Sequence, residues 1–279
     1  MAIEITGQYT EPCKVSVLCD NEPLNENFGS EWGLSMALEL PGNGCWLWDC
    51  GASPLFLKNA AKMGIKVNDA KGLALSHGHW DHTGGMDALM NTDFIGPVYA
   101  HHDFAIKRYS RRGNGDFSEA SFPCEYPGTI IVRDQVELDD GLFMITEIPR
   151  REGLSEATEG LFLDPEMTEP DHVKDDAFLL LMTNSGPVVV LGCCHSGLAN
   201  SLYHLRDLTG LDSVYAVIGG LHLYRTGESE LENTAKVIEE FNVREIAAGH
   251  CTGSKGLEFL RQRVSCKVLQ MGSGSVYKF

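Results

Sequence analysis

The chain has 279 residues, 43% of them hydrophobic, and a formal net charge of −17. A chain of this length buries roughly 75% of its unfolded surface, so it can carry a large core. Its acidity argues against a nucleic-acid surface, which needs a basic stripe. No window approaches the roughly eighteen apolar residues of a membrane span, and Met1-Ala2-Ile3-Glu4 has neither the basic nor the apolar character of a leader. The expectation is a cytoplasmic protein with no membrane and no nucleic-acid partner.

Lys14 to Cys19 alternates apolar and polar residues and predicts a strand that ends in a loop at Asp20-Asn21. A second strand, Leu34 to Leu40, leads through Pro41-Gly42-Asn43-Gly44 into Cys45 to Asp49. Leu55 to Met63 reads as a helix stopped by Gly64. The apolar run Gly72 to Leu75 then enters Ser76-His77-Gly78-His79-Trp80-Asp81-His82-Thr83-Gly84-Gly85, ahead of a short helix, Met86 to Met90, and a strand, Pro97 to Ala100. From His101 to about Asp176 the regular period is lost and Gly, Pro and charge dominate, which predicts an insertion. Ala177 to Met182 and Pro187 to Leu191 form a strand pair across the turn Thr183-Asn184-Ser185-Gly186. Helix Leu198 to Leu208 ends at Gly210, and strand Ser213 to Ile218 reaches Gly219-Gly220-Leu221-His222. An amphipathic helix spans Glu228 to Phe241, strand Glu245 to Ala248 delivers Gly249-His250-Cys251, and Leu257 to Val264 is the last helix.

Within the glycine-flanked segment, His77, His79 and Asp81 alternate at period two while His82 breaks the alternation. That suits a loop at a strand end and not an amphipathic helix. From such a loop His77 and His79 can converge on one metal ion while Asp81 and His82 turn toward a second. Neutral imidazole and carboxylate suit zinc, and also iron or manganese.

The pattern H-x-H-x-D-H after a strand, followed by a double glycine, resembles the signature of the metallo-β-lactamase superfamily. Further segments resemble its branch named for dihydropterin ribofuranosyl-aminobenzene phosphate synthase: Leu18-Cys19-Asp20-Asn21, Gly33-Leu34-Ser35, Gly192-Cys193-Cys194-His195-Ser196-Gly197, Ile218-Gly219-Gly220-Leu221-His222-Leu223 and Gly249-His250-Cys251-Thr252-Gly253. The resemblance runs from about residue 14 to the C-terminus. It implies an α/β fold, a four-layer αββα sandwich, forming one domain over 1–279 with 101–176 as a lid insertion and two divalent ions at the sheet edges. With strand-end placement, it assigns His77, His79 and His195 to one ion and Asp81, His82 and His250 to the other. Asp49 matches the superfamily's second motif, whose aspartate stands behind the metals and orients a ligand histidine; a plain turn aspartate is the alternative. His222 is expected to touch substrate or metal, and His101, His102, His172 and His204 to lie at the surface or in the lid.

Two departures accompany the resemblance. The strand end that supplies a metal-bridging aspartate in the superfamily reads Gly-Cys-Cys-His here. Either His195 acts as the third histidine with solvent alone between the ions, or Asp175 or Asp176 reaches in. Trp32 also stands where relatives carry histidine, which alters the substrate pocket.

Two Lewis-acidic ions about 3.5–4 Å apart lower the pKa of a bound water toward 7 and hold hydroxide against an electrophile, with Asp81 orienting it. The expected activity is that of a metallo-hydrolase or a pyrophosphate-displacing transferase acting on a small anionic, phosphorylated metabolite. An iron-dependent oxygen or persulfide enzyme and a non-catalytic metabolite sensor stay open as alternatives. Basic clusters at Lys107-Arg108-Tyr109, Arg111-Arg112-Gly113 and Arg150-Arg151 are unusual in so acidic a chain. Guanidinium forks hold phosphate or carboxylate bidentately, so Arg108, Arg150 and Arg151 are the candidate anion contacts, against the alternative of a solvated loop. The nine cysteines are expected to be reduced, with no Cys45–Cys50 bridge. Cys13, Cys45, Cys124 and Cys266 read as small buried apolar residues, whereas one of Cys193, Cys194 and Cys251, beside the ligand histidines, lines the site.

Overall fold

The computed structural model describes residues 3, 5, 7–42, 44–111, 115–122 and 126–279. Asn43 of the first turn, Arg112-Gly113 of the second basic cluster and Cys124 fall outside them. Two seven-stranded sheets face each other. The first runs, in spatial order, Val276–Lys278, Lys14–Cys19, Ser35–Glu39, Cys45–Trp48, Gly72–Ala74, Val98–His101 and Ile130–Val132. The second runs Lys267–Gln270, Glu245–Gly249, Ala216–Gly220, Gly186–Leu191, Phe178–Thr183, Leu142–Ile145 and Gln135–Asp139.

The period-two geometry of a strand explains how each sheet buries both faces. Val15, Val17, Met36, Leu38 and Trp48 of the first sheet meet Leu179, Leu181, Val188, Val190 and Ile218 of the second between the sheets. On the outer face of the first sheet, Leu18, Ala37, Leu47 and Leu73 pack beneath the helices Leu55–Met63 and Met86–Met90 through Phe56, Ala60, Met86 and Leu89. On the outer face of the second, Leu180, Val189, Val217 and Ile246 pack beneath Leu198–Thr209, Glu228–Glu240 and Gly253–Arg263. The result is the four-layer αββα sandwich. Burial on both faces is also why Phe178–Thr183 reads as an unbroken apolar run instead of an alternation.

Strand direction determines where the site lies. Cys45–Trp48, Gly72–Ala74 and Val98–His101 are mutually parallel, and so are Gly186–Leu191, Ala216–Gly220 and Glu245–Gly249. The histidine-bearing segments all follow the carboxyl ends of such strands, where open α/β sheets present their ligand crevice.

The stretch 101–176 is not one irregular insertion. Ile130–Val132 joins the edge of the first sheet, while Gln135–Asp139 and Leu142–Ile145 pair with each other and extend the second. All of Leu142–Ile145 is buried, so this segment belongs to the core. What remains of the stretch carries a small antiparallel sheet of Leu161–Phe162, Tyr109–Arg111 and Phe117–Glu119. Among the described residues, no helix is long and apolar enough to cross a membrane.

Candidate metal centre

The chain leaves strand Gly72–Ala74, passes His77 and His79, and enters a one-turn helix, Trp80–Thr83, that carries Asp81 and His82. His195 follows strand Gly186–Leu191, His222 follows Ala216–Gly220, and His250 follows Glu245–Gly249. These segments converge. Donor atoms of His77, His79 and His195 all lie within 4.8 Å of one another, and so do those of Asp81, His82 and His250. The two clusters adjoin, with the His77 and His82 ring centroids 4.2 Å apart. All six residues are buried.

The surroundings fix which nitrogen each ring turns inward. His82 Nδ1 donates to Asp49 Oδ2 at 2.7 Å, His195 Nδ1 donates to the Ala157 carbonyl at 2.7 Å, and His250 Nδ1 donates to Asn21 Oδ1 at 2.9 Å. Each Nε2 therefore faces the clusters, that of His82 at 3.1 Å from Cys193 Sγ. Asp49 also accepts from the Ser76 amide and hydroxyl, both at 2.7 Å, and Ser76 Oγ lies 2.9 Å from His77 Nδ1. One buried carboxylate thus stands behind a histidine of each cluster. The buried Nε2 atoms of His195 and His250 have no hydrogen-bond partner among the described residues, although His250 Nε2 is 3.5 Å from Asp81 Oδ2. Burying such an atom without a partner costs on the order of 1–3 kcal/mol. Convergent, orphaned imidazole nitrogens with a carboxylate are the donor set of a zinc-type divalent ion, so the residues fit the group.

The backbone is bent to bring these groups in. Asp49, Cys194, His222 and His250 have φ of 59, 59, 49 and 48°, a region that non-glycine residues rarely occupy and that collects at functional sites. Burial holds His77, His79 and His195 well below the usual imidazole value, His79 at about 3, so these rings are neutral near pH 7. Burial alone would lower His250 as well, but Cys251 and the Asp81 and Asp20 carboxylates outweigh it and raise the ring to about 9. For Asp81, burial acts upward but the neighbouring histidines overcome it and keep the carboxylate ionised.

The three arginines predicted to meet an anion are not brought to this centre. Arg108 is fully buried: its guanidinium pairs with Asp175 at 2.5 and 3.0 Å and stands 2.9 Å from Asp171, and Asp175 in turn accepts from the Gly78 amide at 2.7 Å. Arg150 is tied to Glu156 and to the carbonyls of Ile148, His172 and Val173. Arg151 pairs with Asp207 and lies over the Tyr203 ring. Each guanidinium is engaged by the protein itself, Arg108 and Arg151 by carboxylates 67 and 56 residues away in sequence. Asp175 is likewise taken up by Arg108, and Asp176 Oδ2 accepts from the Ser196 amide, so neither carboxylate joins the clusters. His101, expected at the surface or in the lid, is buried at the end of strand Val98–His101 and bonded to Glu147 at 2.9 Å. The eight described cysteines are all free, Cys45 and Cys50 included.

A cleft of about 340 Å³ opens over the clusters, with His79, Asp81, Cys193, His195, His222 and His250 in its lining. Trp32, Trp80 and Tyr224 supply aromatic wall, and Trp32 leans on His250 and Tyr224 at 5.8 and 5.9 Å. Trp32 and Trp80 are 48% and 39% exposed, so part of each ring in this cleft stays open to solvent. Arg111 and Arg225 line the same cleft, stacked on Phe162 and Tyr224. Among the described residues neither has a carboxylate partner. Sequence reading passed over both. Arg111 lay in a basic cluster already noted, and Tyr224-Arg225 stood two residues beyond His222.

A family model for the metallo-beta-lactamase superfamily matches residues 33–155. The chain is 30% identical over 281 residues to the 7,8-dihydropterin-6-methyl-4-(beta-D-ribofuranosyl)-aminobenzene-5'-phosphate synthase of Methanocaldococcus jannaschii, covering 93% of this chain and 94% of that protein. The chain belongs to the metallo-beta-lactamase superfamily. Among solved structures, a metal-dependent hydrolase of that superfamily superposes with a TM-score of 0.79 at 25% identity, covering 95% of this chain and 98% of the other. A diphosphatase of the PhnP family superposes at 0.53 with 13% identity, over 96% and 98% of the two chains, a likeness of fold alone. Superfamily members of this fold generally hold divalent metals, and the donor clusters of this chain could do so too.

Proposed function

We propose that this superfamily member is a metal-dependent enzyme that displaces an anionic leaving group from a small phosphorylated substrate bearing a planar ring. The observation that carries this is one cleft with three features: two donor clusters on its floor, guanidinium groups of Arg111 and Arg225 at its side, and exposed aromatic rings as wall. His77, His79 and His195 would hold one divalent ion and Asp81, His82 and His250 a second, with zinc, iron or manganese suited to the donors. Ions bound there supply Lewis acidity and a nucleophile from water at neutral pH. Asp49 keeps His82 directed inward, Arg111 and Arg225 pair with phosphate oxygens, and Trp32, Trp80 and Tyr224 stack against the ring and exclude water. The small sheet of Leu161–Phe162, Tyr109–Arg111 and Phe117–Glu119 acts as the cover, since its residues line the cleft.

The product in the relative's name combines a dihydropterin and an aminobenzene ring with a ribose 5'-phosphate, which agrees in kind with a cleft of aromatic and guanidinium groups. Water as acceptor would make the reaction a hydrolysis; an arylamine or other second substrate would make it a transfer, and the agreement with a synthase favours transfer. The test is a panel of phosphate and pyrophosphate esters with planar rings, with and without an arylamine acceptor, given to metal-free protein reloaded with zinc, iron(II) or manganese(II). Release of phosphate or pyrophosphate should require metal. Arg111→Ala and Arg225→Ala should each lower kcat/KM about thirty-fold or more, the equivalent of roughly 2 kcal/mol or above, with metal content unchanged. His77→Ala and His82→Ala should stay folded and lose metal. Turnover without metal, or full metal content in both histidine variants, would overturn the reading.

A further inference from the structure

Cys193 lies at the junction of the two donor clusters. It follows strand Gly186–Leu191 through Gly192, is 3% exposed, and brings its Sγ to 3.1 Å from His82 Nε2. That sulfur forms close donor groups with His77 and His82, with His195 and His222, and with His250 and Cys251. His77 and His195 belong to the first cluster, His82 and His250 to the second. One sulfur is therefore within ligand range of histidines from both. The inward Nε2 atoms of His195 and His250, more than nine-tenths buried and without a hydrogen-bond partner among the described residues, converge on the same space. Asp175 is taken up by Arg108 and Gly78, and Asp176 is held through Oδ2 by the Ser196 amide, its buried Oδ1 having no hydrogen-bond partner among the described residues. Neither stands in the donor groups that contain Cys193 and the histidines of both clusters.

The backbone around Cys193 is built for close approach. A Cβ on Gly192 would collide with Ser76 Oγ, and one on Gly220 would stand 2.5 Å from Cys251 Sγ and 2.7 Å from the Gly192 carbonyl. Glycine at both positions lets the two strand ends meet beneath the histidines. The αL conformation of the next residue, Cys194, at φ 59°, turns its side chain away into the core formed with Leu198 and Leu202, while Cys193 faces the cleft.

We infer that Cys193 binds as a thiolate shared between the two ions, in the role that a carboxylate would otherwise fill. The inference rests on the two-ion reading above. Loading would release the thiol proton to solvent as the metal–sulfur bonds form. A shared thiolate biases the centre toward zinc, iron(II) and cobalt(II) and against magnesium or calcium, which prefer oxygen.

The test uses metal-free protein titrated with cobalt(II), read by absorption and by electron paramagnetic resonance. The parent should bind two equivalents with a sulfur-to-cobalt charge-transfer band that grows across both, and the second equivalent should quench the spin signal of the first. Cys193→Ser should lose the band, while Cys251→Ser keeps it. Cys193→Asp should restore two equivalents without the band, which guards against a variant that merely unfolds. Two equivalents in the parent with no sulfur band, or a band that survives Cys193→Ser, would overturn the bridge and leave the two-ion reading intact. A parent that binds no cobalt would overturn both.

Discussion

Among the described residues Arg108 is the largest fully buried charged side chain, and it supports the loop of His77 and His79 without lining the cleft. Its guanidinium pairs with Asp175 and stands against Asp171, and Asp175 in turn holds the Gly78 amide between His77 and His79. Breaking a buried ion pair by removing one partner typically costs about 3–5 kcal/mol, because the other charge is left unsolvated. Arg108→Met should therefore lower unfolding stability by about that amount. Adding Asp175→Asn should recover part of it, since the abandoned carboxylate is then neutral. Equilibrium denaturation in urea measures both. If Arg108→Met unfolds like the parent yet loses phosphorylated substrate, the residue is an anion contact after all. At this scale the sequence was readable where the chemistry is local. Four donors in six residues, His77 to His82, announced themselves by spacing. The role of Arg108 did not, because its partner stands 67 residues away and only the fold brings the two together.

Strands and helices were legible where period and punctuation agreed. The helix Leu55–Met63 stops at Gly64, whose φ of 74° is the left-handed cap that glycine adopts freely. The strand ends bearing His195, His222 and His250 were legible as well, each a buried apolar run cut off by glycine. Leu142–Ile145 and Val276–Lys278 were not, since runs of three or four residues carry too little period to stand out unless, as at Gly72–Ala74, a recognisable motif follows them. The small sheet of Leu161–Phe162, Tyr109–Arg111 and Phe117–Glu119 was hidden for the same reason, and its shortness has a dynamic consequence. Its residues are half-buried or exposed, so little apolar burial opposes its opening. Hydrogen exchange at 109–111 and 117–119 should run far faster than at 188–190 in the centre of the second sheet. Adding metal with pyrophosphate should slow it, because Arg111 then holds an anion. Exchange as slow as in the central strands, or indifferent to pyrophosphate, would show that this sheet is no cover.

At the scale of the whole molecule, the formal charge of −17 opposes the phosphorylated substrate proposed above. In bulk water, seventeen charges centred roughly 25 Å away repel each unit of phosphate charge by about 3 kcal/mol before screening. Two bound divalent ions would offset that field inside the cleft but leave the molecule net negative at long range. The contact with Arg111 and Arg225 acts over a few ångströms, well inside the Debye length of about 10 Å at 0.1 M salt, whereas the repulsion acts beyond it. Salt therefore weakens the opposing field more than the favourable one. For a phosphorylated substrate, kcat/KM should rise as sodium chloride is raised from about 10 to about 150 mM, the span over which the long-range field is screened out. A neutral analogue should show no such rise, and Arg225→Ala should keep the rise at a lower absolute rate. The measurement is initial-rate kinetics at fixed metal occupancy. A steep fall of kcat/KM with salt in the parent would mean that local positive charge governs the approach, and that the acidic surface is turned away from the path the substrate takes.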